Sequence, residues 1–326
     1  MNIKLKWVVV FEAVAILILL AALVYVYSGT KTKKVYTQEA LLSPNVYSGA
    51  IEPKSFLIVD FSPLKEKINN YITKNNLNVS VYVENFRNGA YMGINEKVGF
   101  FPASLSKLPI AIVIMRNIES GTLSYSTMLQ IRDDDRTASS GELYKTAEKE
   151  LPLQVVLEKM LKESDNTALR IMLHYVDLED FQFLLDYYNL DINADLQKEQ
   201  RDNHPDFVSP KSISNIFSSL YFSSVLEPQN SQYLLSLLRD TTFDINKAAG
   251  LPDNITIVHK FGKNYYNANK YFHDCGILYY EDSRIFYCIM TKNEDENEAP
   301  ETVGVIVNEI YHYVRDTRAK MEAYKR

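Results

Sequence analysis

The chain has 326 residues, 46% apolar and 12% aromatic, enough to bury the core of one large domain or two small ones and too apolar for bulk disorder. A net charge of −6 and a pI near 5.5, with no lysine or arginine cluster beyond a short run near residue 31, exclude a nucleic-acid surface. The five histidines, His174, His204, His259, His273 and His312, carry no H-E-x-x-H or H-x-H spacing, and the two cysteines are not spaced as ligands, so no metal or other cofactor is expected.

From Trp7 to Tyr27 run 21 residues with one charge, Glu12. As a helix this stretch reaches about 31 Å, the thickness of a bilayer core. A cleaved signal peptide is the competing reading, but the run is longer than a signal core, and Tyr25-Val26-Tyr27 lacks small residues before a cleavage site. An uncleaved, single-pass anchor over 1–28 is therefore expected, followed by a tether over 29–61 that contains Pro44 and Pro53. Lys4 and Lys6 on one side balance Lys31, Lys33 and Lys34 on the other, so charge does not orient the span.

Residues 62–326 read as the globular domain. Ser62-Pro63 predicts a cap and first helical turn, with Leu64, Ile68, Tyr71 and Ile72 at helical spacing. Val79–Val83 and Ala90–Ile94 flank Asn88-Gly89, the dipeptide of a tight hairpin. Residues 104 to 245 carry mostly helical pattern. Strand pattern returns at Ile255–Val258, Cys275–Tyr280 and Ile285–Met290, with Glu281-Asp282-Ser283 as a turn, before an amphipathic helix through Val303, Ile306, Val307, Ile310 and Val314. Strands at both ends with helices between them predict an α+β domain, in which the terminal strands share one antiparallel sheet and the middle forms a helical lobe across a cleft. Cys275 and Cys288 fall in neighbouring strands, as two buried thiols or as a cross-strand disulfide.

Three polar signatures occur in order: Ser104-Leu105-Ser106-Lys107, Ser164-Asp165-Asn166 and Lys260-Phe261-Gly262. A serine hydroxyl needs a base within reach, and a lysine three residues later on a helix lies on the same face. That lysine must be neutral, which desolvation and a second cation, Lys260, favour. Backbone N–H groups at Ser104 and Lys263 are candidate oxyanion donors, each worth about 2.7–4 kcal/mol of barrier. Ser164 is the candidate proton relay to a leaving nitrogen, Asn166 a donor or acceptor for a substrate amide, Asp165 a brace for the turn, and Gly262 a site of close substrate approach. The bland alternatives are that Ser164-Asp165-Asn166-Thr167-Ala168 is simply the N-cap of the helix continuing through Leu169, Ile171, Met172 and Leu173, and that Lys260 is an ordinary strand-end lysine. Ser-x-x-Lys also occurs at Ser28–Lys31 and Ser62–Lys65, but only Ser104 follows a strand pair and precedes a long apolar helix.

These motifs resemble those of the penicillin-recognising serine enzymes, and within them the class A β-lactamases, over about residue 63 to the end. The resemblance implies a β-lactamase/transpeptidase-like fold, an acyl-enzyme on Ser104 with Lys107 as its base, and an extracytoplasmic domain at the cell membrane. Two departures stand out. Phe261 occupies a place where the family has serine or threonine, which removes a hydroxyl from the recognition of the β-lactam carboxylate. The family's water-activating glutamate has only a degenerate counterpart, Glu199, in Glu199-Gln200-Arg201-Asp202-Asn203. The leading expectation is a membrane-anchored serine hydrolase acting on β-lactam amides. The alternatives are a D-alanyl-D-alanine peptidase or other cell-wall acyltransferase acting on cell-wall peptide, and a non-catalytic envelope-binding domain.

Overall fold

The computed structural model describes residues 41–43, 60–192, 207–266, 268–295 and 298–324. The expected membrane segment, most of the tether and Glu199 lie outside the described residues. No helix among the described residues is long and apolar enough to cross a membrane.

Helix α1 (Ser62–Lys74) buries Leu64, Ile68 and Ile72, one turn apart. Ser62 is not the cap that the sequence suggests: the helix starts at Ser62 itself, whose N–H is taken by Asp60 Oδ1 at 2.9 Å. Strands β1 (Val79–Asn85) and β2 (Tyr91–Ile94) form the expected hairpin, in which Gly89 supplies a left-handed φ of +72°. The predicted helix at Ser104 begins instead as a 3-10 turn, Ala103–Ser106, and becomes α-helical as α2 at Lys107–Glu119. Pro109 is tolerated there because a donor in the first helical turn has no intrahelical acceptor.

The lobe then adds a two-stranded pair, β3 (Met128–Gln130) with β4 (Glu150–Pro152), which hydropathy periodicity did not reveal. Among the described residues the helices α3 (Leu153–Lys162), α4 (Asn166–Leu173), α5 (Leu178–Tyr188), α6 (Pro210–Tyr221) and α7 (Pro228–Arg239) follow, with a single turn, α8 (Ile245–Ala248), after them. The chain returns as β5 (Thr256–Tyr266), β6 (Asn269–Tyr280) and β7 (Ser283–Lys292), and closes with α9 (Glu298–Tyr324). The strands are longer than the runs read from sequence, because paired residues beyond the apolar stretch still complete the ladder.

All five strands of the main sheet are antiparallel, in the order β2-β1-β7-β6-β5, so strands from both ends of the domain share one sheet. Strand β7 shows why it is covered on both faces. Ile285, Tyr287 and Ile289 join a core with α1 and α9, while Phe286, Cys288 and Met290 join the larger core of the helical lobe. Cys275 and Cys288 face each other across β6 and β7 on the lobe side and are joined by a disulfide. Leu41 and Leu42, read from sequence as tether, are 0% and 2% exposed and belong to the lobe core.

Candidate active site

The 3-10 geometry puts residues three apart directly in line, and Ser104 and Lys107 are so placed. Lys107 Nζ lies 3.0 Å from Ser104 Oγ. It also lies 2.7 Å from the Ser164 carbonyl oxygen and 2.7 Å from Asn166 Oδ1, two atoms that only accept. A neutral amine has two N–H groups and one lone pair. With both N–H groups given to those acceptors, the lone pair is left for the Ser104 hydroxyl proton. Burial pushes Lys107 down from 10.5 to about 7, against an upward pull from the Asp165 carboxylate.

Ser164 and Asn166 are delivered by the start of α4. Its cap is Asp165, which also braces the turn as expected: Oδ1 accepts from Ala168 N at 2.8 Å and Oδ2 from Leu143 N at 2.8 Å, tying the turn to the loop before it. Ser164 is thereby held in a left-handed conformation, φ 57°, with its hydroxyl turned to the two lysines. That hydroxyl is 3.3 Å from Lys107 Nζ and 3.1 Å from Lys260 Nζ. Asn166 is less available to a substrate than its motif suggests, since Oδ1 accepts from Lys107 and Nδ2 donates to Ser139 Oγ at 2.8 Å.

Lys260 projects from β5 and is fully buried. Its Nζ donates to Ser164 Oγ and, at 2.8 Å, to the Phe261 carbonyl, and it lies 4.4 Å from the centroid of the Phe261 ring. Burial first, and then the Lys107 charge, hold Lys260 well below the usual lysine range, with Asp274 pulling the other way. The sequence had desolvation and Lys260 together lowering Lys107. In the fold, burial is the largest cause of the lowering at both lysines, and Ser164 Oγ lies between the two amines, 3.3 Å from Lys107 Nζ and 3.1 Å from Lys260 Nζ. Asp274 is itself held on the far face of the sheet by His259 Nδ1 at 2.6 Å and the Tyr287 hydroxyl at 2.5 Å. Gly262 has a packing role that the sequence did not indicate. A Cβ there would sit 3.0 Å from Ser104 N and 3.1 Å from Ala103 Cβ, so it is the nucleophile's own turn that packs against the glycine.

Around Ser104 opens a cleft of about 700 Å³. Ser104, Lys107, Ser164, Asn166 and Lys263 line it, with Lys260 and Gly262 directly behind. Lys263 has an exposed side chain on the outermost strand, beside the exposed Tyr265. Sequence reasoning missed Ser139 and Ser140 on the opposite wall, Gly141 behind them, and Arg170 at the mouth. A glycine directly after two serines, Ser139-Ser140-Gly141, was the available signal, and in the fold that glycine is left-handed. Among the described residues no group of three or more His, Cys, Asp or Glu side chains is arranged to hold a metal ion.

The model of the Beta-lactamase enzyme family matches residues 63–314. Beta-lactamase VEB-1 of Pseudomonas aeruginosa is 24% identical over 212 residues, 60% of this chain and 70% of that protein. TLA-3 extended-spectrum beta-lactamase superimposes with a TM-score of 0.70 at 17% identity, over 78% of this chain and 99% of the other. A mutant of PBP-A, solved as its acyl-enzyme complex with penicillin G, gives 0.65 at 22% identity, over 77% and 97%. The antiparallel sheet with its helical lobe is thus the β-lactamase/transpeptidase-like α+β fold. A match spanning most of the chain, on a fold that sets a lysine amine against a half-exposed serine, leads to one assignment: the chain belongs to the beta-lactamase enzyme family and is a serine hydrolase.

Proposed function

We propose that the protein forms an acyl-enzyme on Ser104 with β-lactams as its substrate class, and then hydrolyses it. One observation carries this reading: Lys107 Nζ, buried and lowered to about 7, is 3.0 Å from Ser104 Oγ, with its two shortest contacts made to pure acceptors. Lys107 takes the hydroxyl proton as Oγ attacks the amide carbon. Ser164, between the two lysines, passes a proton to the departing nitrogen, and the backbone N–H groups of Ser104 and Lys263 receive the developing oxyanion. Lys260 fixes the Ser164 hydroxyl, and Asn166 fixes Lys107. Glu199 is the proposed deacylation base. The penicillin G acyl-enzyme of the PBP-A mutant supports the substrate class.

A second reading, a cell-wall peptidase or acyltransferase of the D-alanyl-D-alanine type, is favoured by Phe261, which lines the cleft with an aromatic ring where a hydroxyl would help hold a carboxylate. Intact-mass measurement after mixing with penicillin, followed over time, tests both. A penicillin-sized adduct on wild type, absent in Ser104→Ala and lost within seconds to minutes, is the expected result. An adduct that persists for hours favours the peptidase, and no adduct with any β-lactam removes the lactamase reading.

We further propose that 1–28 anchors the chain in the cell membrane, with 62–326 as an extracytoplasmic catalytic domain. The apolar run Trp7–Tyr27 supports the anchor, and the Cys275–Cys288 disulfide supports an oxidising compartment.

A further inference from the structure

His273 takes no part in the chemistry described above, yet it sits directly behind the nucleophile. It pairs opposite Gly262 in the β5–β6 register, and Gly262 is the residue against which Ser104 N packs. The ring is fully buried, edge-on to Phe100 at 5.7 Å and to Tyr271 at 6.0 Å. Its Nε2 lies 2.8 Å from the carbonyl oxygen of Phe101. A carbonyl can only accept, so Nε2 carries the proton, and in the neutral ring Nδ1, which makes no well-formed hydrogen bond among the described residues, carries none. Burial lowers His273 to about 4, so the ring stays neutral and keeps this tautomer over the ordinary pH range.

The bond falls on the segment that needs holding. Ala103 sits in the left-handed region, φ 49°, which an alanine adopts only when its surroundings enforce it. Upstream, Phe100 exchanges backbone hydrogen bonds with Val208 at 2.8 and 2.9 Å, and the Phe101 ring stacks on Tyr266 at 4.5 Å. Between those fixed points and Ser104, the Phe101 carbonyl is gripped by His273.

We propose that His273 is a positioning residue for the nucleophile: its Nε2–H, donated to the Phe101 carbonyl, holds the Phe101–Ala103 turn that aims Ser104 at Lys107 and at the oxyanion donors. This rests on Ser104 being the nucleophile. It does not depend on the substrate's being a β-lactam.

The test compares wild type with His273→Phe and His273→Met, which fill the site without a donor, and with His273→Gln, which retains an N–H. Two reagents are used, a chromogenic cephalosporin and a fluorophosphonate, and the limiting rate of Ser104 modification is separated from half-saturation on protein verified as folded by circular dichroism. The donor-free variants are expected to lose about ten- to a hundredfold in limiting rate, as a misaimed nucleophile does, with half-saturation little changed, and His273→Gln is expected to recover most of the loss. Limiting rates in the folded donor-free variants within about twofold of wild type, or equal losses in the Gln, Phe and Met variants, overturn the proposal. If the cephalosporin leaves wild type untouched while the fluorophosphonate labels Ser104, the β-lactam reading fails and the ranking of the variants still decides the role of His273. A wild type inert to both reagents overturns both.

Discussion

Lys107 is the residue on which the proposed chemistry turns, and its burial gives that chemistry a pH signature. Only the neutral amine accepts the Ser104 proton. With the amine lowered from 10.5 to about 7, the neutral fraction rises with pH up to that point and saturates above it. The acylation rate constant is therefore expected to climb about tenfold per unit below pH 7 and to level off on the alkaline side, where an ordinary lysine would still be climbing. A stopped-flow profile flat from pH 5 to 8 would contradict this. Lys107→Ala should lower acylation by about 10²–10⁴-fold while the substrate still binds, because the cleft walls remain. The sequence already grouped these residues, since Ser104, Lys107, Ser164, Asn166 and Lys260 sit in motifs whose order and context are informative. It missed His273 and Gly141, whose importance lies in one contact each, with the Phe101 carbonyl and with Asp165, between residues far apart in the chain.

At the level of elements, the cleft depends on how the loop before α3 meets the start of α4. Gly141 lies at φ +78°, and a Cβ there would collide with Asp165 Oδ2, the atom that accepts from Leu143 N. Gly89, at φ +72° in the β1–β2 turn, has nothing within 4 Å of the same position. Both glycines relieve left-handed strain, so Gly89→Ala is expected to cost about 1–2 kcal/mol. Gly141→Ala adds displacement of a buried carboxylate from its donor, about 1–3 kcal/mol more. Urea unfolding of the two variants measures the difference, and equal losses would mean that the Asp165 brace carries no weight. Legibility follows pattern length here. Alternating apolar residues along β1 and continuous apolar runs along β6 and β7 exposed the sheet from sequence, because a strand such as β7, covered on both faces, is apolar along most of its length. The three-residue strands β3 and β4 are too short for any period. The 3-10 turn at Ala103–Ser106 reads as ordinary helix, since residues three apart share a face in both.

Over the whole molecule, the segment ahead of the family match contributes to the fold as well as to any anchor. Leu41 and Leu42 are buried in the lobe core, Leu41 N donates to Gln232 Oε1 at 3.0 Å and Ser43 N to the Tyr221 carbonyl at 2.8 Å. This was not readable in advance, because two leucines between polar residues have no period, and their burial depends on a surface made by residues near 221, 232 and 279. A chain beginning at residue 41 retains these contacts, and a chain beginning at residue 60 leaves a vacant apolar slot. Two buried leucine side chains contribute about 1.5–3 kcal/mol each. At about 2–4 °C per kcal/mol for a domain of this size, the shorter chain is expected to melt roughly 6–24 °C lower. Equal melting temperatures would show that the strap is dispensable. The same chains test the anchor independently of the strap. The full chain should sediment with membranes, while the chain beginning at residue 41 should stay in the supernatant with the same acylation rate as the detergent-extracted full chain. A truncated chain that still sediments with membranes would place the membrane contact on the domain itself, outside the apolar run Trp7–Tyr27.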